Sequence, residues 1–171
     1  QDLCNTDFAF AFVGRHVRSS IMYEIAVFEN PTGQSCAFLP QVMELNAQIF
    51  GQPKTESVFQ KAHNRKRSLL CVAHVGSEVA GFKLGYESDP DNFYSWIGGV
   101  KDSFRQQGIA SALMKAQHEW VKRQGYARVQ TRTKNIWREM LIFNLRHGFD
   151  VIGTYTDDKG EPKLILEKRM D

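Results

Sequence analysis

The stretch Trp96-Ile97-Gly98-Gly99-Val100-Lys101-Asp102-Ser103-Phe104-Arg105-Gln106-Gln107-Gly108-Ile109-Ala110-Ser111 decides how this chain folds. An apolar run ends at Val100, a polar loop follows, and Gly108 opens a long amphipathic segment. Over Gly108–Gln124, Ile109, Leu113, Ala116 and Trp120 recur at helical spacing, and Gly125 stops the run. The spacing therefore predicts strand, loop, helix. The first N–H groups of a helix have no carbonyl one turn back to bond, and the helix dipole adds positive potential. Such an end suits a phosphate or pyrophosphate. Gly108 permits close backbone approach, Ala110 keeps the next turn small, and Arg105 brings a permanent cation. The Arg-x-x-Gly-x-Ala pattern is weak alone, and an ordinary glycine-started turn is its alternative reading. The strand before it and the helix after it sharpen it.

Outward from this centre, both flanks show alternating strands and helices. Upstream, Tyr23–Phe28 reads as a strand, Pro40–Phe50 as a helix with Val42, Leu45 and Ile49 on one face, and Glu56–Asn64 as a second helix. Ser68–Val75 reads as a strand apolar on both faces, Gly76-Ser77 as a hairpin, Glu78–Glu87 as a strand, and Phe93–Val100 as the strand entering the loop. Downstream come a strand at Ala127–Thr133, a helix from Ile136 to His147, and two strands, Val151–Thr156 and Lys163–Lys168. Hairpins in the middle and crossovers later predict an α/β protein: a central mixed sheet with helices on both faces.

Length and composition agree with one domain. The chain has 171 residues, 42% hydrophobic and 24% charged, enough apolar content for a core and too much for overall disorder. The domain is expected over 22–171; residues 1–21, without a clear period, are expected to be an extension, native or an added leader. A net charge of +3 is too mild to argue for nucleic-acid binding, so no nucleic-acid partner is expected. No apolar run approaches a membrane span, so no membrane partner is expected either. Cys4, Cys36 and Cys71 are few, odd in number and widely spaced. They fit a reducing, cytoplasmic compartment better than a disulfide scaffold. His63, His74, His118 and His147 have no metal-ligand spacing, so no metal is expected.

With these elements in place, the chain resembles the GCN5-related N-acetyltransferase (GNAT) superfamily from about Tyr23 to its end. The sharpest part is Val100–Ala110, which resembles that family's acetyl-CoA pyrophosphate loop. A second part is Asn135, a helix, and then His147-Gly148-Phe149. Two departures stand out. Asp102 replaces a proline often found after the strand's last valine, and Asn144 replaces a tyrosine often found before the Gly-Phe pair. They put the family's usual general acid in question and leave the cofactor loop intact.

The resemblance implies that acetyl-CoA, the expected cosubstrate, lies where the strands at Phe93–Val100 and Ala127–Thr133 splay apart. Main-chain groups of Gly98, Gly99 and Val100 would pair with the pantetheine arm. The alternative for two strand glycines is a plain bulge. Arg105 would add charge beside Gln106, Gln107, Gly108, Ile109, Ala110 and Ser111, whose N–H groups would hold the pyrophosphate. Asn135 would touch the cofactor from the opposite strand end. Asn144 would bond near the sulfur or simply form a polar helix face. An N–H near Gly99 or Val100 would stabilise the oxyanion.

Transfer to a primary amine requires a base, since an alkyl ammonium with pKa about 10.4 has no lone pair. Two candidates stand out. Tyr94 lies an even number of residues before Gly98 and so shares its face in a regular strand; otherwise it is a packed aromatic. Glu87 acts through water or is a solvated strand end. The acceptor is expected to be a small-molecule or peptide amine, and a homodimer through a sheet edge is compatible with the fold. A CoA-binding module of the same fold without turnover is the alternative function.

Overall fold

The computed structural model describes residues 21–171. Of the extension expected over 1–21, residues 1–20 lie outside the described residues, as does Cys4; Ile21 packs against one of the two core clusters. The elements follow the predicted order: β1 (Glu24–Glu29), α1 (Leu39–Phe50), α2 (Gln52–His63), β2 (Ser68–Val75), β3 (Glu78–Asp89), β4 (Asn92–Val100), α3 (Ile109–Arg123), β5 (Arg128–Thr133), α4 (Arg138–Arg146), β6 (Asp150–Thr156) and β7 (Pro162–Arg169). A short 3-10 turn, Asp102–Phe104, lies between β4 and α3. One boundary moves by several residues. α2 begins at Gln52, not Glu56, because Pro53 sits in its first turn, where a missing N–H costs nothing. Gly51, at φ 92°, is therefore the whole junction between the two helices.

The strands form one seven-stranded sheet in the order β1-β2-β3-β4-β5-β7-β6. β1 to β4 are antiparallel neighbours, and β4 meets β5 in parallel. β2 is buried on both faces, as its unbroken apolar run predicts. Leu69, Cys71 and Ala73 enter the core beneath α3, whereas Leu70 and Val72 enter the core beneath α1 and α2. α3 buries Ile109, Leu113 and Trp120 against the sheet and leaves Ala116 partly covered.

One irregularity matters for the site. Leu84 pairs with Ile97, but Gly85 pairs with Ser95, so Trp96 is an extra residue in β4. Such a bulge reverses the alternation of side chains across it. Tyr94 consequently packs in the α1/α2 cluster, against Tyr86, whereas Gly98 pairs with Lys83 on the α3 side. The expectation that Tyr94 and Gly98 share a face is corrected by this bulge.

Candidate functional site

The seam between β4 and β5 is short. Only Asn92, Phe93 and Tyr94 pair with Arg128, Val129 and Gln130. Beyond them β5 stays paired with β7 as far as Thr133, while β4 runs on to Val100 paired with β3 and no longer with β5. A side-chain bond, Thr131 Oγ1 donating to Ser95 O at 2.9 Å, marks where the strands part. The gap beyond is lined by Lys83, Ser95, Gly98, Arg132, Met140 and Asn144, with Trp96, Ile97 and Thr131 completing it.

The main-chain groups facing this gap follow from the ladder. The Lys101 N–H bonds Ala80 O at 2.8 Å, so Lys101 and, by alternation, Gly99 turn their polar groups toward β3. Gly98 and Val100 then present both N–H and C=O to the opening. Gly99 serves another purpose: a Cβ there would come within 2.4 Å of Ile49 Cδ1, so the glycine lets α1 approach β4. Of the two N–H groups expected to serve an oxyanion, Val100 faces the opening and Gly99 does not.

Next to the opening lies a cavity of about 530 Å³. Its near wall is Val100, Phe104, Arg105, Gln106 and Gly108 to Ser111. Gln107 is not part of that wall. Gly108 caps α3 in the left-handed region at φ 78°, preceded by Gln106 at φ 60°. The first intrahelical bond is Ala112 N–H to Gly108 O, 3.1 Å, which leaves the N–H groups of Ile109, Ala110 and Ser111 without an acceptor in the helix. Arg105 is largely buried and bonds Asp102 Oδ1 at 2.8 Å, so its charge is shared with a carboxylate. The far wall, which the sequence reading did not reach, comes from α4 and its end: Glu139, Ile142, Phe143, Arg146 and His147. His147 donates from Nδ1 to Phe143 O at 2.8 Å, which turns Nε2 toward the Ser111 hydroxyl at 3.0 Å.

The remaining predicted residues fall in different places. Asn144 is 3% exposed and lines the gap opposite Gly98, rather than forming a polar outer face. Asn135 is exposed in the turn between β5 and α4 and does not line the cavity. Glu87 lies opposite Phe93, at the end of β4 remote from Gly98, and accepts a 2.6 Å bond from the Tyr126 hydroxyl. Burial first, and then that bond, push the Tyr126 phenol up to about 12. Glu87 is thus a partly buried partner of Tyr126, with Lys66 Nζ 3.9 Å from its other oxygen, rather than a fully solvated strand end. Tyr94 stacks its ring near Arg132, whose guanidinium is 5.8 Å from the ring centre. Lys83 was not singled out in the sequence, although a single charge within Val79-Ala80-Gly81-Phe82-Lys83-Leu84 is a visible anomaly.

A mixed sheet opened between two parallel neighbours, with a helix N-terminus beside the opening, defines the class of acyltransferases that accept a coenzyme A thioester. The chain belongs to the Acetyltransferase (GNAT) family, whose sequence model matches residues 39–139. Solved structures share the fold at low sequence identity. A GNAT family acetyltransferase from Elizabethkingia anophelis, with acetyl-CoA bound, is 17% identical with a TM-score of 0.63, over 85% of this chain and 97% of that one. The aminoglycoside 6'-N-acetyltransferase from Enterococcus faecium is 13% identical with a TM-score of 0.69, over 86% and 97%. The ribosomal-protein-S18-alanine N-acetyltransferase from Escherichia coli is 14% identical with a TM-score of 0.68, over 88% and 95%. No curated protein sequence matches the chain.

Proposed function

We propose that this protein transfers the acetyl group of acetyl-CoA directly to a primary amine. The observation that carries the reading is the opened β4–β5 seam beside a cavity into which α3 points its unpaired N–H groups. The pyrophosphate is held by main-chain N–H groups between Gln106 and Ser111, with Arg105 adding charge from beneath. The pantetheine arm pairs with the free main-chain groups of Gly98 and Val100, as a strand would. The thioester then reaches the gap beside Asn144, and an N–H of Gly98 or Val100 supports the oxyanion that forms when the amine attacks. The C–N bond forms, the tetrahedral centre collapses, and the C–S bond breaks.

We place the entry of the amine on the α1/α2 side of the gap, away from Met140 and Asn144 of α4. Tyr94 packs on that side and, by strand register, is the nearer of the two candidate bases to Gly98. Glu87, engaged by Tyr126 on the α3 side, acts at most through water. Asn144 cannot donate a carboxylic or phenolic proton, which favours a second reading, a CoA-binding module without turnover.

Calorimetry with coenzyme A tests the loop. Gly108→Glu places bulk and negative charge against the pyrophosphate, so CoA binding should fall below detection while the far-ultraviolet circular dichroism stays native. Normal CoA affinity in this variant would show that the loop is not the site. Acetyl-CoA consumption with a panel of primary amines separates transfer from binding alone.

A further inference from the structure

Lys83 is a cation that the reaction above leaves unused. It sits in the middle of β3 between Phe82 and Leu84, both fully buried, and is itself 5% exposed. Its cross-strand partners are Cys71 on β2 and Gly98 on β4. Gly98 has no side chain to stand in the way, and Lys83 lines the same gap as Gly98 and Asn144. That gap is where the proposed reaction releases a thiolate. A thiolate left in a buried site without a counter-charge or a proton is costly. Asn144 has neither to offer. Arg132, also in the gap, keeps its proton at every accessible pH and is turned toward the rings of Tyr94 and Tyr155.

We propose that Lys83 is the general acid of the transfer, its ammonium giving a proton to the coenzyme A sulfur as the C–S bond breaks. The assignment rests on the acetyl-transfer reading above. The amine lone pair makes the C–N bond, the C–S electron pair goes to sulfur, and sulfur takes the proton from Lys83 Nζ. The surplus proton on the new amide nitrogen leaves to water, and Lys83 regains one from solvent when coenzyme A departs. Charge in the gap suits this exchange. Burial lowers the Lys83 pKa to about 8, against an opposing contribution from the Cys71 thiol. That is close to the about 8.5 of an ordinary thiol, so the proton moves between matched groups. Cys71, facing Lys83 from β2, is pushed up to about 12 by burial and stays a neutral thiol. His118, from α3, is held down to about 3, first by burial and then by the Lys83 charge, and stays neutral. Arg132 comes from β5, while β4 and α4 bring the neutral Ser95, Trp96, Ile97, Gly98, Met140 and Asn144 to the gap.

The test titrates the thiol of bound coenzyme A by its thiolate absorbance, which needs no acceptor. In the wild-type protein the bound thiol should ionise at least one pH unit lower than in Lys83→Met, because the ammonium stabilises the thiolate. Lys83→Arg keeps the charge and guards against misfolding of the first variant. It should keep the low thiol pKa yet lose at least a hundredfold in kcat with amines that the wild type acetylates, since its proton does not leave. In the wild type the alkaline limb of kcat should fall near pH 8, and in Lys83→Arg it should vanish. Equal thiol titration in wild type and Lys83→Met, or wild-type kcat in Lys83→Arg, would overturn the assignment. A wild-type protein that fails to bind coenzyme A would instead overturn the underlying reading.

Discussion

Gly85 has no room for a methyl group. A Cβ there would lie 2.4 Å from Phe93 Cε1 and 2.7 Å from the Tyr94 carbonyl oxygen, with Gln117 Nε2 at 3.0 Å. The carbonyl belongs to the β4 backbone just before the bulge and cannot turn aside without moving the strand. Gly85→Ala should therefore destabilise the fold by about 1–3 kcal/mol, the usual cost of overpacking. Urea denaturation should show a lower midpoint with an unchanged slope. Gly99→Ala is the informative contrast. Its Cβ would clash with the end of Ile49, a side chain that can change rotamer, and otherwise make ordinary contact with Phe82, so its cost should be smaller than that of Gly85→Ala. If the two variants are equally stable, backbone proximity at Gly85 is not what demands a glycine there.

At the scale of elements, α3 carries a titration as well as the site. His118 faces the core from α3, is 9% exposed, and has Lys168 Nζ 3.5 Å from its Nδ1. Burial, followed by repulsion from Lys83, Lys168 and His147, lowers its pKa from the ordinary 6.5 to about 3. Above pH 6.5 the ring is neutral folded or unfolded and costs nothing. Between about 6.5 and 3 the unfolded chain binds a proton that the folded chain refuses, so stability falls with pH by at most about 1.4 kcal/mol per unit. His118→Leu should flatten that part of the stability profile. An identical acid slope in the variant would assign the loss to other groups. The same elements show what the chain makes legible before folding. The β4–α3 punctuation was readable because one glycine separates a period-two run from a long helical face. The bulge was not, because Trp96 and Ile97 are both apolar and an extra apolar residue leaves no mark on a strand pattern. The parity of Tyr94 was misjudged for that reason. The expected start of the second helix at Glu56 fell one turn late, because Pro53 sits in the first turn of a helix that begins at Gln52. The far wall of the cavity, Glu139 to His147, was hidden because it is brought to Ser111 by packing between α3 and α4, a relation that no local spacing encodes.

The whole molecule is two sheet halves joined at a short seam. β1 to β4 carry α1 and α2 on one face, and β5 to β7 continue the sheet after three paired positions. The core beneath α1 and α2 draws, among the described residues, on nothing after Ile97. The core beneath α3 does cross the seam, where Val129, Leu166 and Met170 join Leu69, Phe93 and Leu113. The second half is therefore held to the first by one face and a few ladder bonds. Its local opening should cost less than global unfolding, as is common where few contacts cross. A coenzyme A that pairs with Gly98 and Val100 and touches α4 through the cavity wall would bridge both halves. Coenzyme A at a hundred times its Kd should add about 2.7 kcal/mol to the unfolding free energy. Its local signature should be wider than its contacts. Hydrogen exchange by mass spectrometry should show slower exchange in the first turn of α3 and also across β5 and β7, where pairing already exists but is only loosely anchored. Slowing confined to the α3 turn, with β5 and β7 unchanged, would mean that the two halves already move as one body and that the ligand does not clamp the seam.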